Sequence, residues 1–211
     1  KKALDEVSKL YEIGKAINST LQLDNVLKEI TKAGAEILGA RGCILRLLDE
    51  KARGLEIEEV YGVNNDEHLP KVLELGQSIA GQVATSGQSI LVPDIKSNRR
   101  LKSKFQSQVR SLVSIPLMAK GKVIGTLSVF DKHGESHEFN PDDERLLSIL
   151  GSQAAICIEN ARLFEAVKKN EQQLLEIREQ LVRVERLAAV GELAAKVAHD
   201  IRNPLVSIGG F

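Results

Sequence analysis

The sequence predicts an α+β fold, in which an antiparallel sheet with flanking helices continues into a long C-terminal helix of a dimeric coiled coil. Three observations support this prediction. Helical patterns occur at both ends of the first 165 residues, and short alternating patterns lie between them. Two alternating segments surround Lys120-Gly121, where glycine supplies the positive φ of a two-residue hairpin. From Pro141 to Asn203, only isolated glycines interrupt a helical pattern.

Two helices are expected before the first strand. Residues 2–21 carry a narrow apolar stripe at helical spacing, which is typical of a coiled-coil seam. Residues 25–38 form the second helix, with Asp24 as its expected cap and Gly39 as the residue that ends it. The residues predicted to face the core are Val26, Leu27, Ile30, Ala33 and Ile37.

Strands and short helices are expected between these helices and the long one. The predicted strands are Gly42–Asp49, Leu55–Tyr61, Ile90–Val92, Val109–Ala119 and Lys122–Phe130. The short helices cover residues 70–75 and 78–85, and Gly87 ends the second. Pro116 cannot donate to a sheet ladder, so it is expected at an edge or a bulge. The basic stretch 98–108 is interpreted as a solvated loop rather than an anion site.

The composition argues against several classes of function. Lys and Arg number 29, as do Asp and Glu, so the net charge is zero; aromatic residues are 3% and Trp is absent. Such a chain is not expected to bind nucleic acid. Cys43 and Cys157 lie in apolar runs and are interpreted as buried hydrophobic residues rather than a disulfide or metal pair. No metal site is expected, because His68, His133 and His137 are scattered in loops.

A cytoplasmic location is expected, since reduced cysteines are typical of cytosolic proteins. No apolar run reaches transmembrane length, and no signal peptide is visible. The chain begins at Lys1 and ends at Phe211 inside a motif, so we interpret it as a fragment, and a membrane anchor upstream is left open.

Several short segments resemble GAF domains. The matching segments are Gly76, Gly81, Gly87, Val92–Asp94, Arg110–Leu112, Ile115–Leu117, Val123–Leu127, Ala154–Ile156 and Ile158–Ala161. The resemblance spans about residues 5–165 and implies a GAF fold that dimerises or binds a small molecule of unknown identity. Bilin-binding GAF domains have a histidine beside their cysteine, and GAF-type methionine sulfoxide reductases use several loop cysteines. Cys43 and Cys157 match neither pattern.

One motif has two interpretations. GAF domains that bind cyclic nucleotides carry Asn-Lys, then Phe, three residues, Asp and Glu. This chain has Asp131-Lys132, then Phe139, three residues, Asp143 and Glu144, so the match is partial. In the alternative, structural interpretation, Lys132 pairs with Asp143 and joins the last strand to the long helix, while Phe139 packs beneath.

The long helix is expected to begin with Asn140 as its cap, and the acidic residues 142–144 complement its dipole. A heptad seam follows at Val167, Asn170, Leu174, Ile177, Leu181 and Val184. Asn170 is interpreted as a buried polar residue of this seam, where an asparagine pair is expected to fix the register and favour a two-stranded coil. A second seam follows at Leu187, Val190, Ala194, Val197 and Ile201. The phase slips between Val184 and Val190, which is a stammer that locally overwinds the coil.

Ala198–Leu205 reads AHDIRNPL and resembles the H-box of two-component sensor histidine kinases. The resemblance implies that His199 accepts a phosphoryl group from ATP, for which one ring nitrogen must be unprotonated, as it is at neutral pH. Asp200 is placed to accept a hydrogen bond from the other ring nitrogen and so to fix the tautomer. Asn203 shares the helix face of His199 and, by resemblance, positions ATP or a hydrolytic water. Pro204 is expected to disturb the helix.

We therefore divide the chain into three parts. Residues 1–165 are a GAF-like sensor domain with an N-terminal amphipathic helix, residues 166–190 are a signalling coiled coil, and residues 191–211 are the truncated start of a histidine phosphoacceptor (dimerisation) helix. The coil is expected to pair with a second copy in a parallel homodimer. In this helix the predicted catalytic residues are His199 and its partners.

The expected function is the sensory part of a two-component histidine kinase. The full-length kinase is expected to use MgATP on a separate ATP-binding catalytic domain and to transfer the phosphoryl group to an aspartate of a response regulator. The fragment is expected to hold no cofactor and to be inactive alone. The alternatives are a non-catalytic dimerising GAF module that binds a ligand or partner, a ligand-regulated transcription factor, which the neutral charge disfavours, and a surface histidine near a helix kink.

Overall fold

The computed structural model of the chain describes residues 22–49, 54–63, 69–95, 109–134 and 137–208. From residue 188 onwards it describes the helical backbone, together with the side chains of Val190, Leu193 and Val197. The helix predicted at residues 2–21 and the basic stretch 98–108 lie outside the described residues, as does His68.

A six-stranded sheet and three helices make up the described residues. The helices are α1 (Leu23–Leu38), α2 (Ile79–Ser86) and α3 (Pro141–Ile208). The strands are β1 (Ala40–Leu48), β2 (Gly54–Tyr61), β3 (Val72–Glu74), β4 (Ile90–Val92), β5 (Leu112–Ala119) and β6 (Lys122–Lys132). All pairs are antiparallel, in the order β3-β2-β1-β6-β5-β4. The predicted α+β class with an antiparallel sheet is confirmed.

The chain divides into two compact units, Lys1–Phe164 and Glu165–Phe211. In the described residues, the first unit contains the sheet, α1, α2 and the start of α3, and the second consists of the rest of α3. The three-part functional division of the sequence stays a prediction.

Alternate side chains of the sheet contribute to apolar clusters on both of its faces. On one face, Leu45 of β1 packs in a cluster with residues of α1 and α3 that include Leu147. On the other face, Ile44 lies in a cluster with Ile79 of α2. Because successive residues of a strand point to opposite faces, Arg46 is directed to the α2 side.

The predicted short helix at residues 70–75 is wrong. Val72–Glu74 is strand β3, which pairs with β2 at the edge of the sheet. The pairing is extended by the carbonyl of Lys71, which accepts a hydrogen bond from Ile57 N at 3.0 Å. Six residues are too few for a helix to be stable by itself, whereas an extended segment can complete the edge of an existing sheet. The other strands differ from the prediction only at their ends.

Asp24 does not cap α1, in contrast to the prediction. The helix begins at Leu23 after Gln22, whose side chain makes no capping hydrogen bond, and Asp24 lies in the first turn. A carboxylate in that turn still interacts favourably with the helix dipole. The predicted end of the helix is confirmed, because Gly39 is left-handed with φ of 56° and its N–H donates to the last carbonyls of the helix.

The β5–β6 hairpin is confirmed. Lys120 and Gly121 have φ of 51° and 75°, as a type I′ turn requires. Pro116 lies beyond the pairing of β5 with β4, which ends at Ser114, and the ladder to β6 is irregular after Leu117. The predicted edge or bulge position of this proline is therefore confirmed.

Helix α3 continues past Pro204 to Ile208, where the sequence predicted a disturbance. Proline removes one backbone N–H donor and tends to kink a helix. The loss of one backbone donor does not end the helix here.

Candidate functional site

A cavity of about 50 Å³ lies on the α2 side of the sheet. Its walls come from β1, β5 and β6, from the start of α2, and from β3 with the segment before it. Most of the lining is apolar, and the polar side chains in it are those of Arg46, Ser78 and Ser128. Ligand sites of proteins commonly have this composition, with a few polar groups in an apolar pocket.

Arg46 is the charged residue that lines this cavity, and it is only 3% exposed. Its Nη2 donates to the carbonyl of Pro70 at 2.9 Å, and its Nη1 donates to those of Leu55 and Lys71 at 3.4 Å each. Burial lowers the pKa of the guanidinium to about 10, so it stays protonated at neutral pH. In the described part of the chain, no carboxylate forms an ion pair with it.

Two hydroxyl groups project from β6 on the same face as Arg46. Thr126 lies directly opposite Arg46 in the β1–β6 ladder, and such pairs share a face of the sheet. Its Oγ1 is buried and has no hydrogen-bond partner among the described residues. Ser128, two residues further on, shares a 2.8 Å hydrogen bond with Ser114 of β5.

The N-terminus of α2 forms another wall of the cavity. Ser78 is the cap, and its Oγ accepts the N–H of Gly81 at 3.0 Å. Helix α2 approaches β3 so closely that a Cβ at Gly81 would lie 2.6 Å from the carbonyl oxygen of Glu74. Ile79 and Ala80, the first two residues of the helix, line the cavity. Their N–H groups have no acceptor inside the helix.

Arg46 is a site residue that the sequence-based predictions do not include. The signal for it is a single charge within the apolar run GCILRLL, because a fully buried arginine is rare unless its charge is satisfied. Thr126 and Ser128 give no comparable signal, since their position beside Arg46 depends on the register between β1 and β6.

The Asp131-Lys132 motif lies at the junction between β6 and α3, and its residues do not line the cavity. Lys132 Nζ forms an ion pair with Asp143 Oδ2 and lies 5.9 Å from the centre of the Phe139 ring. Phe139 itself is buried. The structural interpretation is therefore confirmed, since the ion pair joins the end of the sheet to the start of α3.

Asp131, which replaces the asparagine of the cyclic-nucleotide motif, also has a structural partner. Its Oδ2 accepts a hydrogen bond from Arg41 Nε at 2.8 Å, and its Oδ1 accepts one from the backbone N of Arg110 at 2.6 Å. The Arg41 guanidinium in turn lies 4.9 Å from the centre of the Phe130 ring. A carboxylate at this position therefore fixes Arg41, which an asparagine would do less strongly.

The start of α3 is capped as predicted. Asn140 Oδ1 accepts hydrogen bonds from the backbone N of Asp142 at 2.9 Å and of Asp143 at 3.0 Å. Asp143 Oδ2 accepts one from Asn140 N at 2.9 Å, so the two side chains cap the helix reciprocally. A hydrogen bond from Ser89 to Glu144 adds a contact with the segment before β4.

Replacing Lys132 by methionine is expected to lower the free energy of unfolding by about 2 kcal/mol, because Asp143 would keep a largely buried charge without its partner. Urea unfolding measures the change. Lys120→Met is the matched control, since Lys120 pairs with Glu159 at 3.6 Å but is 78% exposed, and we expect less than about 0.5 kcal/mol there. Equal stability of the two variants would contradict the structural interpretation, as would a rise in Tm with millimolar cyclic nucleotide.

The cysteines are buried, as predicted, and belong to the apolar core. Burial raises the pKa of both the Cys43 and the Cys157 thiol, so neither is a thiolate nucleophile at neutral pH. His133 and His137 lie outside helices and strands, also as predicted. In the ranges that the structure describes, no group of His, Cys, Asp and Glu is arranged to hold a metal ion. None of the described helices offers a stretch long and apolar enough to span a bilayer.

The predicted catalytic residues His199, Asp200 and Asn203 all belong to α3. Their side chains lie outside the described residues, so their roles stay predictions. These three residues lie on the same helix that begins at the Asn140 cap.

The predicted seam of α3 is exposed wherever the structure describes it. The aliphatic members Val167, Leu174, Ile177, Leu181, Val184, Leu187, Val190 and Val197 are 53–66% exposed. In the first unit, Ile149, Ile156 and Leu163 of α3 are also exposed, at 47–54%, and they recur every seven residues in phase with Asn170. This spacing is typical of helix faces that pack against another helix.

Comparisons with known proteins concern mainly the first unit. A family model described as GAF domain matches residues 20–159. The chain is 28% identical over 185 residues to the Nif-specific regulatory protein of Herbaspirillum seropedicae, covering 84% of this chain and 33% of that protein. It is 27% identical over 176 residues to Diguanylate cyclase A of Treponema denticola, covering 78% of this chain and 45% of that protein. The chain therefore spans less than half the length of either relative.

The fold has solved counterparts. The GAF domain from a phosphoenolpyruvate-protein phosphotransferase of Coxiella burnetii superimposes with a TM-score of 0.68 at 22% identity, covering 79% of this chain and 99% of that one. Identity at this level shows the fold alone. The family model, in contrast, matches the sequence over most of the first unit, from before α1 to the start of α3 that packs on the sheet. The chain therefore belongs to the GAF domain family.

Proposed function

We propose that this chain is the sensory and phosphoacceptor part of a two-component histidine kinase, with the GAF domain as the sensor and His199 as the acceptor. The observation that carries the proposal is the continuity of α3. This helix begins at its Asn140 cap, contributes Leu147 and Leu150 to the core of the GAF domain, and includes the AHDIRNPL segment before it ends. A conformational change in the GAF core therefore acts on the same helix that carries His199.

In the proposed reaction, an unprotonated ring nitrogen of His199 attacks the γ-phosphorus of MgATP. A nitrogen–phosphorus bond forms, the bond from the γ-phosphorus to its bridging oxygen breaks, and ADP leaves. Asp200 accepts a hydrogen bond from the other ring N–H and stabilises the positive charge that develops on the ring. A response-regulator aspartate then attacks the same phosphorus and releases the histidine. In the proposal, MgATP is held by an ATP-binding catalytic domain that is separate from residues 1–211.

Packing around β1 supports a route for the signal. Arg46 lies at the cavity on one face of this strand, whereas Leu45 and Leu47 lie in the cluster on the other face, together with Leu150 of α3. The strand is thus a single layer between the cavity and the helix. Because packed cores have little free volume, a displacement of β1 is transmitted to the residues that contact it.

A second copy of this chain is the proposed partner of the exposed seam, in a parallel homodimer. Two features support it: the heptad spacing, in which Val167, Leu174 and Leu181 take the a positions, and the agreement in phase between the exposed residues of the two units. A parallel pairing also places the two copies of His199 at the same level.

Leu174→Glu is expected to raise the dimer dissociation constant at least about tenfold, because an a position of the seam would receive a charge. Leu175→Glu is the matched control. Leu175 is 61% exposed in the single chain and Leu174 is 66% exposed, but Leu175 lies at a b position, outside the seam, where charged residues are common. Sedimentation equilibrium measures both variants. Equal weakening of the dimer by the two substitutions would contradict the proposed seam.

Labelling with γ-labelled MgATP tests the proposed function. The protein is a full-length one that carries this chain together with its ATP-binding domain. Phosphohistidine is labile in acid and stable in base, so we expect an acid-labile label that moves to a response regulator. A label with the opposite stability, or the absence of a label from an intact protein, would contradict the proposal.

A second candidate function is a dimerising GAF module that binds a ligand and acts on a different output. The similarity to a regulatory protein and to a diguanylate cyclase favours it, because the names of these relatives denote different outputs. The same labelling experiment separates the two functions. A dimer that responds to a ligand but leaves His199 unlabelled would establish the second.

A further inference from the structure

The buried charge of Arg46 is incompletely satisfied in the described residues. An arginine has five N–H donors, and Arg46 uses three of them on the carbonyls of Leu55, Pro70 and Lys71. These acceptors are neutral, and two of the three bonds are long, at 3.4 Å. Burial of an ionised group is unfavourable unless an opposite charge compensates it. The cavity beside Arg46 is therefore a place where a negative charge is stabilised.

The other polar groups around the cavity are also suited to an anion. Ser128 lines the cavity with a hydroxyl that can donate to a ligand while it accepts from Ser114, because either oxygen of that pair can be the donor. The N-terminus of α2 adds the N–H groups of Ile79 and Ala80 and the positive end of the helix dipole. Within the described part of the chain, neither Asp nor Glu lines the cavity. These features are independent, and each favours a ligand with oxygen acceptors and a negative charge.

The size of the cavity limits the ligand to a small one. It measures about 50 Å³, and one water molecule needs roughly 10–15 Å³ on this scale. There is thus room for about four non-hydrogen atoms, which suits a small carboxylate or an inorganic oxyanion. A cyclic nucleotide is several times larger than this volume, since sites for drug-sized ligands have volumes of roughly 300–1,000 Å³.

We propose that the cavity beside Arg46 is a binding site for a small oxyanion, which supplies the counter-charge to the guanidinium and accepts hydrogen bonds from Ser128 and the start of α2. This inference rests on the sensor role proposed for the GAF domain and names the chemical class of its ligand. Binding would draw Arg46 towards the anion and change its bonds to the segment before β3. Because Leu45 and Leu47 flank Arg46 on β1, that movement reaches the cluster that contains α3.

The test uses residues 1–211 as they are, with sodium acetate and sodium phosphate as the probes and acetamide as the neutral analogue of acetate. Titrations run at constant ionic strength in sodium chloride, followed by calorimetry and by Tm. We expect saturable binding of at least one anion, with a Kd on the order of 1 mM for a ligand of about four atoms. Binding of acetate alone indicates a carboxylate, and binding of phosphate alone indicates an inorganic anion. Equal effects of acetate and acetamide, or no binding of either anion up to about 50 mM, would overturn the proposal.

Two hydroxyl variants assign the site. Ser128→Ala removes the hydroxyl that lines the cavity, and we expect it to weaken anion binding about tenfold. Thr126→Val is the matched control: Thr126 is buried on the same strand and the same face, but it does not line the cavity. Its anion affinity should be unchanged. Arg46→Lys keeps the charge but loses the fork of donors, and binding should fall at least about tenfold.

The outcomes separate this inference from the proposed kinase function. Ser128→Ala is the decisive variant if Arg46→Lys does not fold, because the loss of a single hydroxyl leaves the charge of Arg46 in place. Unchanged anion affinity in Ser128→Ala would overturn the site. His199→Gln should bind the anion as the unmodified chain does, so a failure of phosphoryl transfer leaves the site intact. Conversely, phosphoryl transfer without anion binding would contradict only the site.

Discussion

Replacing His199 by glutamine is expected to reduce acid-labile labelling of the full-length protein to below about 1% of the wild-type level. Glutamine is polar and compatible with a helix, but its amide nitrogen is not a nucleophile. The substitution therefore removes the reacting group while α3 can keep its course through this position. The measurement is a time course with γ-labelled MgATP, resolved by acid and base treatment.

Three further variants make this result specific. His133→Gln is the matched control, because the backbone N of His133 donates to the carbonyl of Gly39 at 2.7 Å and glutamine keeps that bond. Its labelling should be unchanged. Asp200→Asn keeps the nucleophile but loses the carboxylate that orients the ring, so the rate should fall about 100-fold. Asn203→Ala should alter dephosphorylation of the partner more than acceptance. Persistent labelling of the His199→Gln protein would show that another residue is the acceptor.

The features that the sequence predicts correctly depend on neighbouring residues. The turn at Lys120-Gly121 needs two left-handed residues, and the sequence shows them directly. The cap of α3 needs Asn140 followed three residues later by Asp143, which is also visible locally. The ion pair of Lys132 with Asp143 joins residues that are only 11 positions apart. In each case the interacting groups lie close enough in the chain for their spacing to identify them.

The features that the sequence does not predict depend on distant pairing. Strand β3 is extended because β2 offers it an unpaired edge, and nothing within residues 70–75 contains that information. The cavity also depends on distant pairing, since Arg46 and Ser128 are 82 positions apart and line the same cavity only through the β1–β6 register. A close approach fixes that register: a Cβ at Gly125 would lie 2.2 Å from the carbonyl oxygen of Arg46. The site of the ligand is thus a consequence of the sheet, whereas the proposed phosphoacceptor is a local motif.

A two-residue insertion before Val184 is expected to change the autophosphorylation rate at least about tenfold, whereas a seven-residue insertion should leave it within about twofold. Each helical residue turns the chain by about 100°, so two residues rotate the helix beyond the insertion by roughly 200°. Seven residues restore its orientation to within about 20°. If the seam transmits the state of the GAF domain, the orientation of the helix that carries His199 determines how the histidine is presented.

A nine-residue insertion at the same position separates phase from length. It is longer than the seven-residue insertion, but its phase equals that of the two-residue one. If the signal depends on the phase of the helix, the insertions of two and nine residues give the same altered autophosphorylation rate. If it depends on the length of the helix, the insertions of seven and nine residues give nearly equal rates. All three insertions lie in the unit Glu165–Phe211, so the Tm of the GAF core and its anion binding should not change. Equal rates for two and seven residues would contradict transmission by phase, even if His199 is the acceptor. The slip between Val184 and Val190 would then be a feature of coil packing alone, because a switch at the stammer requires two packings that differ in rotation.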